Sequence, residues 1–178
     1  GGKMVAKATG EPLTVEFLEF QNVFERVILP FAAQLKLIGI QSSVRVIDQA
    51  QYQNRLRSFD FDITTSNWPQ SLSPGNEQRD FFTCARAKDN GSQNVAGICD
   101  PVVDELVEMV VGAPDRAELV ARTRALDRVL LWHNYMVPHW HLRKFWVAYW
   151  DKLEHPRDPP PYGIAFDAWW VKGASAGR

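Results

Sequence analysis

The first apolar-rich run, Leu13–Phe20, follows the turn signal Gly10-Glu11-Pro12 and is short enough to be a strand. Behind it, Phe24, Val27, Ile28, Phe31, Leu35 and Ile38 recur at helical spacing. Asn22 and Glu25 are set as a capping box for that helix, and Gly39 stands where a C′ glycine belongs. Pro30 falls inside the stripe and predicts a kink or a split, because it brings no amide proton to the helix ladder. Ile40–Ile47 alternates and is rich in branched residues, which predicts a second strand. Asp48 then caps a helix with Tyr52 and Leu56 on its buried side, and Phe61–Asn67 predicts a third strand. Short strands joined by helices favour a parallel arrangement with right-handed crossovers. The expected fold class is therefore α/β, a β-α-β-α-β mixed sheet with flanking helices.

The second half has a different texture. Asp100-Pro101 is an N-cap followed by an N1 proline, and Val103, Leu106, Val107 and Val110 mark a helix ending near Gly112. Pro114 begins another, with Leu119, Thr123, Leu126 and Leu130 along one stripe. Met136–Leu142 and Phe145–Trp150 read as short β-like runs. Asp151–Tyr162, with Pro156, Pro159, Pro160 and Pro161, reads as an extended connection. Phe166, Trp169, Trp170 and Val171 make the tail very apolar, which predicts packing against another surface.

The third strand leads into Asn67–Phe82, NWPQSLSPGNEQRDFF. In open parallel sheets ligands bind beyond the carboxyl ends of the strands, since the crossover helices cover the flat faces. Trp68, Gln70, Ser71, Asn76, Glu77 and Arg79 are suited to reading a ligand at such a tip and poorly suited to filling a core. They are the candidate binding residues. Trp68 has an alternative role as a plug on the sheet edge.

Composition narrows the function classes. The chain has 178 residues, enough for one domain with a sizeable core. A net charge of −1 with scattered basic residues gives no electrostatic case for nucleic acid. No apolar run approaches the roughly 20 residues that span a bilayer. The first twelve residues contain no apolar core of the kind a signal peptide carries. Cys84 and Cys99 flank a polar segment, compatible with a loop-closing disulfide or with two unrelated thiols. Six of the seven tryptophans lie in the last third, as core filler or as a ligand platform.

Motifs for catalysis are missing. There is no P-loop, GxSxG elbow, HExxH or Rossmann glycine fingerprint. His139 and His141 could share a face of a strand, with His133 a third metal ligand, but no carboxylate stands at motif spacing. Carboxylate pairs such as Glu77 and Asp80 carry little information among 21 acidic residues. No catalytic residue, metal or cofactor is nominated, and the chain reads as a non-enzyme.

Taken in order, the pieces resemble the C-terminal part of a family 5 extracellular solute-binding protein, the peptide- and nickel-binding class serving ABC importers. They are LTVEF, FERVILPFAAQLKLIGI, SVRVIDQAQYQNRL and FDFDITTSNW, then Asn94 and Gly97 ahead of Asp100, Pro101 and Asp104, then a long helix and Val137-Pro138. WPQSLSPGNEQRD, RALDRVLLW, VAYWDK and FDAWW narrow the resemblance to the Yej-type branch, linked to oligopeptide and microcin C uptake. The resemblance implies a periplasmic-binding-protein lobe over residues 1–154 and a tail over 155–178 that returns to a first lobe outside this chain. It implies a peptide-like ligand in a cleft between two lobes, an ABC permease as partner and a periplasmic address. That address favours a Cys84–Cys99 disulfide. One departure stands out: where the oligopeptide-binding branch has an aspartate for the peptide's amine, this chain has Ser71. A cationic ligand end would need Glu77, Asp80 or a group outside the chain. The rival readings are a carbohydrate-binding module with co-planar tryptophans on an all-β sandwich, and a hydrolase built on His133, His139 and His141. A further variant keeps the family and changes the cargo to a sugar, a nickel chelate or an antibiotic.

Overall fold

A computed structural model describes residues 2–139, 144–158, 160 and 163–173. The chain divides into two compact units, Gly1–Met136 and Val137–Arg178.

The first unit opens with three parallel strands in the order β2-β1-β3, where β1 is Thr14–Glu19, β2 is Gln41–Val46 and β3 is Ile63–Thr64. Helix α1 (Glu25–Leu37) links β1 to β2, and α2 (Gln49–Arg57) links β2 to β3. The α/β expectation holds, and an all-β sandwich is ruled out. β1 pairs with β2 along its whole length, from Thr14 against Gln41 to Glu19 against Val46. Phe17, Leu18 and Glu19 are all buried although successive residues face opposite sides. Both faces of β1 are therefore covered at its carboxyl end, as expected of a central parallel strand.

Two local expectations fail for identifiable reasons. The Asn22/Glu25 capping box does not form: Asn22–Phe24 is a 3₁₀ turn whose Asn22 carbonyl takes the Glu25 amide, and Phe24 occupies the N-cap. Pro30 does not split α1, which continues to Leu37. Gly39 does end it as predicted. Ile40 N–H donates to Leu35 O at 3.0 Å and Gly39 N–H to Lys36 O at 3.1 Å, the two bonds of a Schellman motif. Gly39 has φ +86°, and a Cβ there would lie 2.6 Å from Met4 N.

The third strand is much shorter than the Phe61–Asn67 predicted, because side chains replace the ladder at both ends. Asp62 Oδ2 accepts from Glu16 N–H at 2.9 Å, and Glu19 Oε1 accepts from Thr65 N–H at 3.2 Å. Asp48 caps α2 as expected, accepting from Ala50 N–H and Gln51 N–H at 3.0 Å each.

The rest of the unit packs α3 (Glu77–Phe82), α4 (Pro101–Val111) and α5 (Arg116–Trp132) around Phe81, Phe82, Ile98, Val103, Val107 and Leu126. Cys84 and Cys99 are joined in a disulfide. Inside that loop Asn94 is fully buried, donating to Thr83 O and Ile98 O and accepting from Ile98 N–H. Asp100 caps α4 through Val102 N–H, and Asp104 accepts from Cys84 N–H at 2.9 Å. The Asn-Gly-Asp-Pro-Asp pattern in the sequence is thus a scaffold that ties the loop to α4.

In the second unit, Leu153–Glu154 and Trp170–Val171 pair antiparallel as β4 and β5. The stretch expected to be an extended connection therefore contributes a strand. Tyr149, His155, Phe166 and Trp169 cluster, with Tyr149 and Trp169 ring centroids 4.8 Å apart. Phe145–Trp150 is not a strand; Trp146 and Trp150 are exposed, so its alternation has no apolar surface to answer it. Met136–His139 is not a strand either, while Trp140, His141 and Leu142 lie outside the described residues, as do Pro159, Pro161 and Tyr162.

Candidate functional site

The strand order sets the place. The chain leaves β1 for β2 on one side and then crosses to β3 on the other, which puts a switch point beyond the carboxyl ends of β1 and β3. Glu19, the last residue of β1, stands there at 1% exposure. Its carboxylate accepts from Thr65 N–H at 3.2 Å and from Thr65 Oγ1–H at 2.9 Å. Burial pushes the Glu19 carboxyl above its ordinary range, against the opposing pull of the two Thr65 bonds. Thr64 is held in turn by Leu18 O and by the Tyr52 hydroxyl, both at 2.9 Å. Sequence reading passed over Glu19 as one polar residue of an apolar run. The available signal was a carboxylate at the end of a central strand, where no solvated face exists to receive it.

This clamp fixes the start of the segment carrying the candidate residues. Trp68 is half-buried against the helical core, so part of its surface does serve as a plug. Gln70 and the buried Gln78 exchange amide hydrogen bonds, the shorter from Gln78 Nε2 to Gln70 Oε1 at 2.7 Å. Glu77 Oε1 accepts from Gly75 N–H at 2.8 Å and from Gln78 Nε2 at 3.1 Å. Burial pushes the Glu77 carboxyl up, but bonds from the Gly75 amide, its own amide and Gln78 outweigh it and hold the group below its ordinary value. Ser71 Oγ accepts from Ser73 N–H at 3.1 Å, and Arg116 on α5 bonds Leu72 O.

The six candidates do not share one site. Trp68, Gln70 and Ser71 line a cavity of ≈460 Å³ between the loop and α5, with Phe82, Leu130 and Met136 among its apolar walls. Asn76 and Arg79 line a separate hollow of ≈630 Å³ with Asp80, Thr83, Asp104 and Glu108. Glu77 lines neither. Arg79 is already answered: Nε and Nη2 donate to the two Glu108 oxygens at 2.6 Å each, and Nη1 bonds Asn76 Oδ1. That pairing raises the Arg79 pKa and lowers that of Glu108. Asp80 is paired with Arg86 at 3.1 Å. Both carboxylates proposed from the sequence for a cationic ligand end, Glu77 and Asp80, therefore have intramolecular partners.

The histidine reading finds no support in this geometry. His133 stacks on Tyr135 at 5.4 Å and lies 3.6 Å from Asp100 Oδ2. His139 falls in the other compact unit, and His141 lies outside the described residues. Among the described residues, no group of three or more His, Cys, Asp or Glu is placed to hold a metal ion. No helix among them is long and apolar enough to cross a membrane.

The chain is similar in sequence to known proteins and in fold to solved structures. The chain is 51% identical over 176 residues to the uncharacterized protein y4wM of Sinorhizobium fredii, covering 98% of this chain and 26% of that protein. It is 50% identical over 171 residues to the probable peptide-binding protein YejA of Agrobacterium fabrum, covering 96% of this chain and 28% of that protein. Among solved structures, the oligopeptide-binding protein AppA of Bacillus subtilis, in complex with a nonapeptide, superposes with a TM-score of 0.67 at 17% identity. That superposition covers 92% of this chain and 32% of AppA, and it establishes the shared fold. No protein-family profile matches the chain. The chain thus spans about a quarter of the length of the curated relatives it matches.

Proposed function

Taking the chain as a Yej-type segment of the family 5 extracellular solute-binding proteins, we propose that it is one wall of a peptide-binding cleft in the capture component of an ABC importer. The observation that carries this reading is the cavity beside Trp68, Gln70 and Ser71, next to the switch point of a parallel sheet. The Agrobacterium relative, a probable peptide-binding protein, and the nonapeptide held by AppA support a peptide as cargo. Residues 1–154 act as the second lobe and 155–178 as a tail returning to the first, which sequence outside this chain supplies. The two lobes close by a hinge over the ligand and present it to the permease. The work is binding without catalysis, in the periplasm. The disulfide supports that address, because such bonds persist in oxidising compartments. Trp68, Gln70 and Ser71 face the ligand; Asn76, Glu77 and Arg79 hold the loop in shape.

Mass spectrometry of small molecules released from a protein of the relatives' length that contains this chain tests the reading. A retained peptide is the expected result. A sugar, a metal chelate or an antibiotic in its place would refute the cargo.

A further inference from the structure

The disulfide loop holds one peptide bond suited to a reaction of its own. Of the seven asparagines, Asn90 alone is followed by glycine; the others precede Val23, Arg55, Trp68, Glu77, Val95 and Tyr135. Those six neighbours carry side chains that crowd their own backbone nitrogen, whereas Gly91 has none. Asn90 and Gly91 are the central residues of an exposed turn, closed by Ser92 N–H donating to Asp89 O at 3.0 Å. Gly91 has φ +76°, the left-handed backbone that favours glycine at the third position of a turn. Among the described residues the Asn90 side chain makes no hydrogen bond, whereas buried Asn94, in the same loop, is held by three. One restraint stands: Gly91 N–H donates to the carbonyl of Arg57, the last residue of α2, at 3.1 Å.

We propose that Asn90-Gly91 is a site of spontaneous deamidation that unfastens the disulfide loop from α2. A solvent base takes the Gly91 amide proton, and the nitrogen attacks Asn90 Cγ. The new N–C bond closes a cyclic imide. The Cγ–Nδ2 bond breaks, and the leaving nitrogen picks up a proton and departs as ammonia. Water then adds to one of the two imide carbonyls. Opening at Cγ leaves an ordinary aspartate; opening at the main-chain carbonyl leaves isoaspartate, with Cβ inserted into the main chain. Nothing is oxidised or reduced, since the sum is one water consumed and one ammonia released. The Gly91 proton cannot leave while the Arg57 carbonyl holds it, so the bond to α2 is the gate. Either product adds a carboxylate beside Asp89, which already pairs with Arg86. Isoaspartate also lengthens the turn and takes Ser92 N–H away from Asp89 O and Gly91 N–H away from Arg57 O. The product thus cannot re-form the contact whose opening allowed the reaction.

Incubation in isotopically labelled water at mildly alkaline pH, then mass spectrometry of the tryptic peptide Asp89–Arg116, tests the site. It is applied to the chain and to a protein of the relatives' length that contains it. A labelled carboxyl is expected at Asn90, as a mixture of aspartate and isoaspartate, the second recognised by isoaspartyl methyltransferase. Asn94, in the same peptide, should keep its amide. The exposed variant N90Q, which carries its amide on a longer arm, should stay unconverted. Reducing the disulfide frees the loop from α2 and should speed conversion about fivefold or more, the weight of one net hydrogen bond. In the converted chain the Gly91 and Ser92 amides should lose their protection from hydrogen exchange. Equal conversion at Asn90 and Asn94, or none at Asn90 while the free peptide Asp89–Gln93 converts fully, would overturn the proposal. So would a rate that reduction leaves unchanged, or an Asn90 that survives in the longer protein.

Discussion

Replacing Asn94 should cost more stability than any other polar substitution in the disulfide loop. Its side chain is fully buried and makes three hydrogen bonds: to Thr83 O at 3.1 Å, to Ile98 O at 2.8 Å and from Ile98 N–H at 2.9 Å. Each such bond contributes about 1 kcal/mol net, and a buried group left without a partner costs about 1–3 kcal/mol. Asn94→Ala removes all three and strands the Ile98 amide, so a loss of about 3 kcal/mol or more is expected. That is a large share of the roughly 5–15 kcal/mol that stabilises an ordinary domain. Asn94→Asp separates the acceptor from the donors. It keeps an oxygen for Ile98 N–H but turns a carboxylate toward two carbonyls, with no water to screen it. Ionisation is then disfavoured in the folded state, so the variant's folded pKa lies above its unfolded value near 4. The Asp variant should therefore be most impaired at neutral pH and recover as pH falls through that folded value. Urea unfolding followed by tryptophan fluorescence, with the disulfide intact, measures both. The exposed neighbour is the control: Gln93→Ala should stay within about 0.5 kcal/mol. A loss below 1 kcal/mol for Asn94→Ala would refute the claim that this network organises the loop.

The remaining predictions concern the disulfide and the buried carboxylate. Thiol titration of the denatured, unreduced chain should find no reactive cysteine, and reduction should lower stability by about 3 kcal/mol in urea, as expected for a bridge with a sequence separation of 15. Two titratable thiols would remove the bridge. Glu19 has a folded pKa raised above its unfolded value near 4.5, so its contribution is complete below that value and is lost as pH rises through the folded pKa. Glu19→Gln keeps an acceptor for Thr65 N–H and offers a donor to Thr65 Oγ1. It should gain on the wild type between pH 4 and pH 7, and parallel stability curves over that range would show that Glu19 does not titrate as described.

Periodicity made the first unit legible. The strands around Phe17 and Val44, the Asp48 cap and the Gly39 terminator follow from short-range rules that need no knowledge of the rest of the chain. The errors arise where distant partners take over a backbone bond. Glu19 and Asp62 take amides that a longer β3 would have given to the ladder, and no spacing rule relates residue 19 to residue 65. The loop after β3 was correctly singled out as polar and strand-terminal, yet its six candidates separate because Arg79 lies across from Glu108 on α4. That ion pair joins residues 29 positions apart, and either side chain read alone looks available. The second unit was least legible. Alternation in Phe145–Trp150 predicts a strand only if a neighbouring strand is there to pair with it.

The same distinction between committed and uncommitted groups bears on how the loop meets a ligand. Glu77 looked like a ligand carboxylate and Arg79 like a ligand cation, but their charges are answered by Gly75, Gln78 and Glu108. A ligand recruiting either would have to break those bonds and replace them, a poor exchange when each new contact must first cover the loss. What the loop can offer without such a loss is one side of Trp68, the hydroxyl proton of Ser71, whose oxygen already accepts from Ser73 N–H, and the second amide hydrogen of Gln70, whose other bonds go to Gln78. These are neutral groups, able to bond a peptide backbone and unable to distinguish its charged ends. The loop's open surface is thus neutral, and its charged groups serve its own shape.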